Sequence, residues 1–115
     1  MLTPRRKNKL GATKVTVGGI KFDSKAEARR YQELLLRQRA GDISDLELKP
    51  VYQLVPAVVL DGRKKPPLRY TPDFQYLCGG ELVVEDVKGA PSTDAFRIRK
   101  HLMRHVHGIN VVEVR

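Results

Sequence analysis

The segment ELVVEDVKG, residues 81–89, places three charged side chains directly after a run of apolar ones. In a β-strand, residues two apart share a face. Asp86 and Lys88 therefore point the same way, whereas Glu85 points to the other side of the sheet together with Val87. Because an unpaired buried charge costs several kcal/mol, this composition predicts that the charges have a partner or a chemical use.

A second carboxylate belongs to the preceding strand segment, LRYTPDFQYL, where Asp73 follows Pro72. The bend imposed by the proline places Asp73 near the pairing partner of its strand. Asp73, Asp86 and Lys88 would then meet at one sheet edge. Aspartate oxygens suit a hard divalent cation such as Mg²⁺. The cation would activate water, and the lysine would orient that water or neutralise the charge that builds on phosphorus.

The elements that must position these groups can be read along the chain. Three strand candidates cover residues 51–60, 68–77 and 81–89, and the short Gly- and Pro-rich links between them predict an antiparallel meander. Pro56 and Pro72 lie within strand patterns, where proline marks an edge, a bend or a bulge.

Two helices complete the core. The first covers residues 24–39, with Asp23 or Ser24 as its cap, and the second covers 93–107. The last strand, 109–114, follows the second helix, and this strand–helix–strand order implies a parallel crossover. The sequence therefore predicts a mixed sheet in an α/β (α+β) domain with the order α-β-β-β-α-β.

Two segments lie outside this order. A short hairpin is expected around Gly18-Gly19, and residues 42–50 are interpreted as a polar connection whose Ile43, Leu46 and Leu48 pack inward. The predicted domain therefore spans residues 15–115, preceded by a flexible basic arm over residues 1–14.

The charge balance indicates a polyanionic partner. Lys and Arg total 22 against 13 acidic residues, which gives a net charge of +9 in 115 residues. Such a balance is typical of nucleic-acid binding. The single cysteine, Cys78, excludes an intramolecular disulfide and a cysteine metal cage. Neither a signal peptide nor an apolar run of about 20 residues is evident, so a cytoplasmic protein is expected.

These residues resemble the signature of the PD-(D/E)XK nuclease superfamily. Pro72-Asp73 is followed, after twelve intervening residues, by Asp86-Val87-Lys88. The predicted element order is similar to the restriction-endonuclease-like core of that superfamily. The phrases GGIKFDSKAEARRYQEL, AGDISDLELKP, YTPDFQY and VEDVKG resemble a small family of phage-type endonucleases whose relatives include Holliday-junction resolvases.

The resemblance implies a role for each matching residue. Asp73 and Asp86 would bind Mg²⁺, or Mn²⁺ as a substitute, with the backbone carbonyl of Val87 as a further ligand. Lys88 would position or activate the attacking water. Glu27, on the first helix, would complete the acidic cluster or anchor a second metal through water. The reaction would be phosphodiester hydrolysis that leaves a 5′-phosphate.

Each assignment has a simpler alternative. Ser24-Lys25-Ala26-Glu27 fits a capping box, in which Glu27 returns to the helix start. Asp86 and Lys88 could be an exposed pair of charges that prevents aggregation through an edge strand. Asp73 could have no role other than to end its strand. Glu85 is expected to be a surface or dimer-contact charge. Tyr31, Tyr70 and Tyr76 are assigned to the core.

Basic side chains outside the site are the candidates for phosphate contacts. They fall in the N-terminal arm, in a hairpin and on the second helix: Arg5, Arg6, Lys7, Arg63, Lys64, Lys65, Arg97, Lys100 and Arg104. His101 shares the helix face of Arg97 and Arg104.

These features predict a metal-dependent, structure-selective DNA endonuclease, with a Holliday-junction resolvase of a phage as the preferred subclass. A junction has two scissile strands related by near-symmetry, so a homodimer is expected. A nuclease of other specificity, such as a nickase or a transposase-type end-cleaving subunit, is one alternative. A basic DNA-binding protein without catalysis is another, although it would have no need of the acidic cluster.

Overall fold

The computed structural model describes residues 14–115, which form an α+β domain of ten strands and two α-helices. The strands are β1 (Val15–Val17), β2 (Ile20–Phe22), β3 (Ser44–Leu48), β4 (Tyr52–Val55), β5 (Val58–Leu60), β6 (Arg63–Lys65), β7 (Leu68–Tyr70), β8 (Phe74–Cys78), β9 (Glu81–Val87) and β10 (Val112–Val114). The helices are α1 (Lys25–Arg39) and α2 (Asp94–Leu102), and a π-helical turn, Met103–His107, continues α2. The predicted basic arm, apart from Lys14, lies outside the described residues.

The central sheet has four strands in the order β10-β9-β8-β3. β8 is antiparallel to both β3 and β9, whereas β10 is parallel to β9. Gly79 and Gly80 both have positive φ angles and join β8 to β9 in a tight turn, as their sequence predicts. The predicted mixed sheet and the parallel crossover through the second helix are therefore confirmed.

The first strand of the predicted meander was assigned to the wrong segment. Residues 44–48, expected to be a connection, form β3 beside β8, and residues 51–60 lie outside the central sheet. The pairing of β3 shifts register between Ser44 and Glu47, and Asp45 adopts a positive φ of 54°. This bulge and the half-exposed edge position interrupt the period-2 pattern by which strands are recognised.

Residues 51–70 instead form a long, interrupted hairpin. β4 pairs with β7 at its base and β5 pairs with β6 at its tip. Pro56 falls between β4 and β5, as the prediction of a bend there implied. The tip turns at Asp61-Gly62, where both residues have positive φ, the conformation of a type I′ hairpin turn.

The two helices cover opposite faces of the central sheet. Alternate residues of β9 divide between two hydrophobic clusters. Val83 and Val87 pack with α1 around Phe22, Leu34, Phe74 and Tyr76. Val84 packs on the other face against Leu54, Tyr70, Phe96 and Met103, which belong to the long hairpin, to α2 and to the π-helical turn. Each face of β9 can therefore present its charged residues to a different environment.

Both helices begin at predicted positions. Ser24 caps α1 by accepting a hydrogen bond from the Glu27 N–H at 3.1 Å, and Thr93 caps α2 in the same way through Phe96. Gly108 ends the helical segment with a left-handed conformation. The N-terminal hairpin β1–β2 also forms around Gly18-Gly19 as predicted.

Candidate active site

Asp73 and Asp86 meet where β8 begins and β9 ends. Because Phe74 pairs with Glu85, extending the antiparallel register by one position sets Asp73 opposite Asp86. Both side chains are buried, and the two carboxyl groups lie close enough to interact electrostatically. Asp73 also accepts a hydrogen bond from the Val87 N–H at 2.7 Å. The two aspartates that sequence reasoning singled out are thus brought together at the ends of two paired strands.

This contact changes the acidity of both groups. Burial raises the pKa of Asp86 to about 6, and the hydrogen bond and negative charge of Asp73 act in the same direction. Burial also raises the pKa of Asp73, with the Glu27 side chain acting in the same direction. Two carboxylates are therefore held side by side in a buried position, where a cation between them would relieve their mutual repulsion.

Lys88 lies on the same face as Asp86, as the strand alternation predicts. Its Nζ is 3.1 Å from Asp86 Oδ2 and 3.6 Å from the centroid of the Phe96 ring on α2. An ammonium group over an aromatic face is held by a cation–π interaction. Asp86 and the Phe96 ring therefore hold the Lys88 ammonium beside the two aspartates. Lys88 is not the freely exposed edge-strand charge of the simpler alternative.

Glu27 reaches the site from the first turn of α1. Its N–H is used by the Ser24 cap, but its buried carboxylate faces Lys49, whose Nζ lies 3.3 Å from Oε1. The Glu27 side chain also interacts with Asp73. The capping box is thus only half formed, and the Glu27 carboxylate lies in the same group of charges as Lys49 and Asp73.

Sequence reasoning missed Lys49. It immediately follows β3, and its Nζ lies 3.6 Å from both Asp73 Oδ1 and Asp23 Oδ2 in addition to its contact with Glu27. Burial alone would lower its pKa, but the charges of Glu27 and Asp73 outweigh burial and raise it. The quoted phrase AGDISDLELKP contained this residue, yet its role was hidden because β3 was taken for a connection.

Tyr70 was assigned to the core and has a second role. It is buried, as predicted, and its hydroxyl donates a hydrogen bond to Asp86 Oδ2 at 2.8 Å. Burial and the charge of Asp86 raise the Tyr70 pKa, so the group remains a donor. A tyrosine in a strand pattern gives no sign of its hydroxyl partner, because that partner depends on how the long hairpin packs.

The oxygen donors of the cluster suit a divalent cation. Among residues 14–115, no three or more His, Cys, Asp or Glu side chains are already arranged to hold a metal ion. The carboxylates form a row instead, with Glu27 beside Asp73 and Asp73 beside Asp86. An ion bound by the two aspartates would keep several waters, which is the usual coordination of Mg²⁺. The donor chemistry of the two aspartates fits such an ion.

Glu85 corrects one expectation. It points away from Asp86, as predicted, but it is only 1% exposed and is not a surface charge. Two nitrogens of Arg30, on α1, contact its two oxygens at 2.7 and 3.0 Å, and the Tyr76 hydroxyl donates to it at 2.9 Å. The surface assignment was wrong because α1 covers this face of β9 and supplies the arginine.

The basic residues predicted on the second helix are partly engaged within the chain. Lys100 pairs with Glu113 at 2.7 Å, Arg97 contacts Asp94, and Arg104 donates to the Gly108 carbonyl at 2.9 Å. Arg97 and Arg104 remain exposed and line an open groove beside His101. This surface can still meet phosphates, but its charge is reduced by these pairs.

The basic residues of the long hairpin are placed differently. Arg63, Lys64 and Lys65 form β6, and all three are exposed. Among residues 14–115, they are engaged in none of the observed ion pairs. Arg5, Arg6 and Lys7 lie outside the described residues.

The comparisons with known proteins give a family. The sequence matches, over residues 7–113, the family described as protein of unknown function (DUF1064), and the chain belongs to this family. No curated protein matches the chain. No solved structure matches it either. Within residues 14–115, neither helix combines the length and the apolar character that crossing a membrane requires.

Proposed function

We propose that this member of the DUF1064 family is a metal-dependent DNA endonuclease that hydrolyses phosphodiester bonds in branched DNA. Its preferred substrate would be the Holliday junction formed in DNA recombination. The observation that carries the proposal is the Asp73–Asp86 pair, two adjacent buried carboxylates beside Lys88.

The sign of the charges supports this reading. The chain carries a net charge of +9, which favours a polyanion, yet two buried carboxylates, those of Asp73 and Asp86, lie together at one end of the β8–β9 pair. Carboxylates repel phosphate unless a cation lies between them. A protein that only bound DNA would gain nothing from this cluster, because burying like charges together is unfavourable. A nuclease uses it to place a cation against the scissile phosphate.

The residues available for the cation are those of the acidic row. Asp73 and Asp86 would hold it, the Val87 carbonyl would add a ligand, and Glu27 would contribute from α1. A bound Mg²⁺, or Mn²⁺ in its place, lowers the pKa of water and neutralises charge that develops on a phosphoryl group.

The remaining chemistry belongs to the neighbouring side chains. Lys88, held by Asp86 and the Phe96 ring, would orient the attacking water through its N–H groups and stabilise the developing negative charge. The Tyr70 hydroxyl fixes one oxygen of Asp86 and so limits the rotation of that carboxylate. Preorganisation of this kind is what positioned hydrogen bonds contribute to catalysis.

The proposal includes a homodimer acting in the cytoplasm, that of the host if the chain is encoded by a phage. A four-way junction offers two equivalent strands, and two copies related by a two-fold axis would place one site on each.

The deciding experiment compares substrates. Labelled four-way junction, linear duplex and single-stranded DNA are incubated with the protein in Mg²⁺ and in EDTA. We expect cleavage of the junction in Mg²⁺ only, with 5′-phosphate ends. Lys88→Ala should abolish cleavage and leave junction binding in Ca²⁺ intact. Exposed Lys21→Ala on β2 is the matched control and should cut at the parent rate.

The outcomes separate the parts of the proposal. If no substrate is cut in any divalent metal, the protein is not this enzyme. If linear duplex is cut as fast as the junction, the nuclease assignment stands and the junction preference is wrong. If Lys88→Ala cuts normally, the lysine has been assigned wrongly.

A further inference from the structure

We propose that the tip of the long hairpin is a DNA-binding ribbon that enters a groove next to the branch point and contributes the preference for branched DNA. This tip, residues 56–66, is called the β-arm below. The inference rests on the proposed function for the identity of the ligand, but it concerns binding and does not require catalysis.

The first observation is that the β-arm is exposed on both faces. All eleven residues from 56 to 66 are exposed, although three of them are large and apolar. In β5, Val59 is 69% exposed, and its neighbours Val58 and Leu60 are 47% and 53% exposed. Side chains alternate between the faces of a ribbon, so neither face of the β-arm is covered within residues 14–115.

An isolated two-stranded hairpin is only marginally stable in water. The β-arm is anchored at its base, because β4 and β7 carry Leu54 and Tyr70 into the core of the α2 face. Within the part of the chain that the structure describes, its tip gains no such packing. Exposed valine and leucine at this density indicate a surface that becomes covered by a partner.

The charge of the β-arm indicates the class of partner that it binds. Each apolar residue of β5 pairs across the ribbon with a cation of β6: Val58 with Lys65, Val59 with Lys64, and Leu60 with Arg63. Three cations against one acid, Asp61, disfavour contact with the β-arm of a second copy and favour a polyanion. The major groove of DNA admits a two-stranded ribbon, with cations toward phosphates and apolar side chains toward the bases.

The position of the β-arm relative to the candidate site also fits DNA. Lys64 and Asp73 are nine residues apart in the chain, so they are separated by at most about 30 Å. One turn of B-DNA is about 34 Å long. The β-arm can thus contact the same duplex less than one turn from the scissile phosphate, or the adjoining arm of a branch. Bases at a branch are more easily unstacked, which gives the apolar strand a preferred place to insert.

Binding measurements in Ca²⁺ and EDTA test the inference without cleavage. One variant removes the charge (Arg63→Gln, Lys64→Gln and Lys65→Gln), and another removes the apolar surface but keeps β-branched side chains (Val58→Thr, Val59→Thr and Leu60→Thr). The charge control, Lys21→Gln with Lys25→Gln and Arg39→Gln, changes three exposed cations elsewhere. The apolar control is Leu36→Ser with Leu82→Ser, both exposed.

We expect the charge variant to weaken binding to all DNA and to reduce the slope of log K against log salt by about 2–3, since each phosphate contact contributes about 0.9. The apolar variant should keep the parent slope and lose affinity for the junction about tenfold, a typical value for one lost set of base contacts. Its affinity for linear duplex should change little. The fluorescence of 2-aminopurine at the branch should rise with the parent protein and not with the apolar variant.

Three results would overturn the inference. The charge variant could bind as the parent does, or lose no more than its control. The apolar variant could keep the junction preference. In the third result, the apolar variant would bind the junction normally, but its molecular mass measured by light scattering would differ from that of the parent protein. Strand β5 would then be a protein interface. None of these results bears on cleavage, so the proposed function is judged separately.

A second inference has a different basis, the position of Lys49. We infer that its ammonium group is the built-in counter-ion of Glu27 and Asp73 and that a divalent cation competes with it. This inference also rests on the proposed function. The lysine lies within 3.6 Å of three carboxylates, and two of them, those of Glu27 and Asp73, are nearly buried.

The backbone of Lys49 supports a positioned role. Its φ is 50°, in the left-handed region, which costs about 1–2 kcal/mol for a residue with a Cβ. The conformation is held by a hydrogen bond from the Lys49 N–H to the Asp73 carbonyl at 3.0 Å. Strain of this kind persists where surrounding structure enforces it and is frequent at functional sites. Lys49 is thus tied to Asp73 through both its backbone and its side chain.

Thermal unfolding and calorimetric Ca²⁺ titration test this inference. In EDTA, Lys49→Met should lower the Tm, because Glu27 and Asp73 lose their cation, and Lys49→Arg should restore it. Lys49→Met should bind Ca²⁺ several-fold more tightly than the parent and gain more Tm from it. Exposed Lys21→Met should change neither property.

The direction of the affinity change decides the matter. Weaker or unchanged Ca²⁺ binding by Lys49→Met would overturn the competition while the metal-dependent function stood. If neither protein bound Ca²⁺, Mg²⁺ or Mn²⁺, both the competition and the proposed function would be wrong.

Discussion

Two adjacent residues of β9 show how one strand can serve two purposes. Glu85 and Asp86 are both buried carboxylates, but they face opposite sides of the central sheet. Glu85 is met by two arginine nitrogens and a tyrosine hydroxyl. Asp86 is met by another carboxylate, with one tyrosine hydroxyl and one lysine nearby.

The difference lies in how far the charge is neutralised. A buried carboxylate with a bidentate arginine and a further donor is satisfied, and it joins α1 to the sheet. For Asp86, burial and the like charge of Asp73 raise the pKa of the carboxyl group despite the nearby Lys88 ammonium. Under the proposed function, Glu85 is the structural member of the two and Asp86 the functional one, and substitutions test this comparison.

The largest expected effects are a loss of cleavage when Asp86 is changed and a loss of thermal stability when Glu85 is changed. Asp86→Asn should reduce cleavage by about 10³-fold or more, comparable with the loss of a principal charge-stabilising group. Its Tm in EDTA should equal or exceed that of the parent, because a neutral amide relieves the repulsion by Asp73. Glu85→Gln should do the reverse, lowering the Tm while the rate per folded molecule is kept. The cleavage rate and the Tm of both variants are measured. The comparison is refuted if the two variants show the same changes in cleavage rate and in Tm.

The next effect concerns the arginine on the structural face. Arg30→Met leaves Glu85 buried without its cation, and we expect a loss of about 3–5 kcal/mol of unfolding free energy. Adding Glu85→Met should recover most of it, since an apolar pair has no charge to satisfy. Urea unfolding measures both, and Arg29→Met, at the exposed neighbouring position, is the control, with an expected change within about 0.5 kcal/mol. A loss in Arg30→Met no larger than in the control would show that the pair contributes little.

The smallest expected effects come from removing the hydroxyl groups of two tyrosines, one on each face of the central sheet. Tyr76→Phe removes one of three hydrogen bonds to Glu85 and should cost about 1–2 kcal/mol of stability, with cleavage unchanged. Tyr70→Phe frees Asp86 to rotate and should lower kcat about tenfold, with little loss of Tm. The kcat and the unfolding free energy of both variants test this prediction. If Tyr70→Phe and Tyr76→Phe changed kcat and stability equally, the two faces of the sheet would not differ in function.

Much of the site could be predicted from the sequence because it depends on local rules. Strand alternation alone places Asp86 and Lys88 on one face and Glu85 on the other. The bend predicted at Pro72 is present, but it divides the single strand predicted over residues 68–77 into β7 and β8, and Asp73 lies just before β8. The Ser24 cap locates the start of α1 and hence Glu27. Each of these inferences needs only the geometry of one element or one turn, and the observed contacts of Asp86 with Asp73 and Lys88 agree with them.

The remaining features required long-range packing. The edge strand β3 was missed because its bulge breaks the alternation, and Lys49 was lost with it. Whether Glu85 was exposed could not be predicted, because the arginine that neutralises it is 55 residues away on α1. The hydroxyl partners of Tyr70 and Tyr76 likewise depend on which strand lies beside them.

The sequence by itself therefore determined which residues carry charge, which face of strand β9 they occupy, and the mixed sheet with its parallel crossover through the second helix. Only the tertiary structure decided which of those charges are satisfied. The physical reason is that alternation and capping act over a few residues, whereas neutralisation of a buried charge depends on groups that are distant in the chain and adjacent in space.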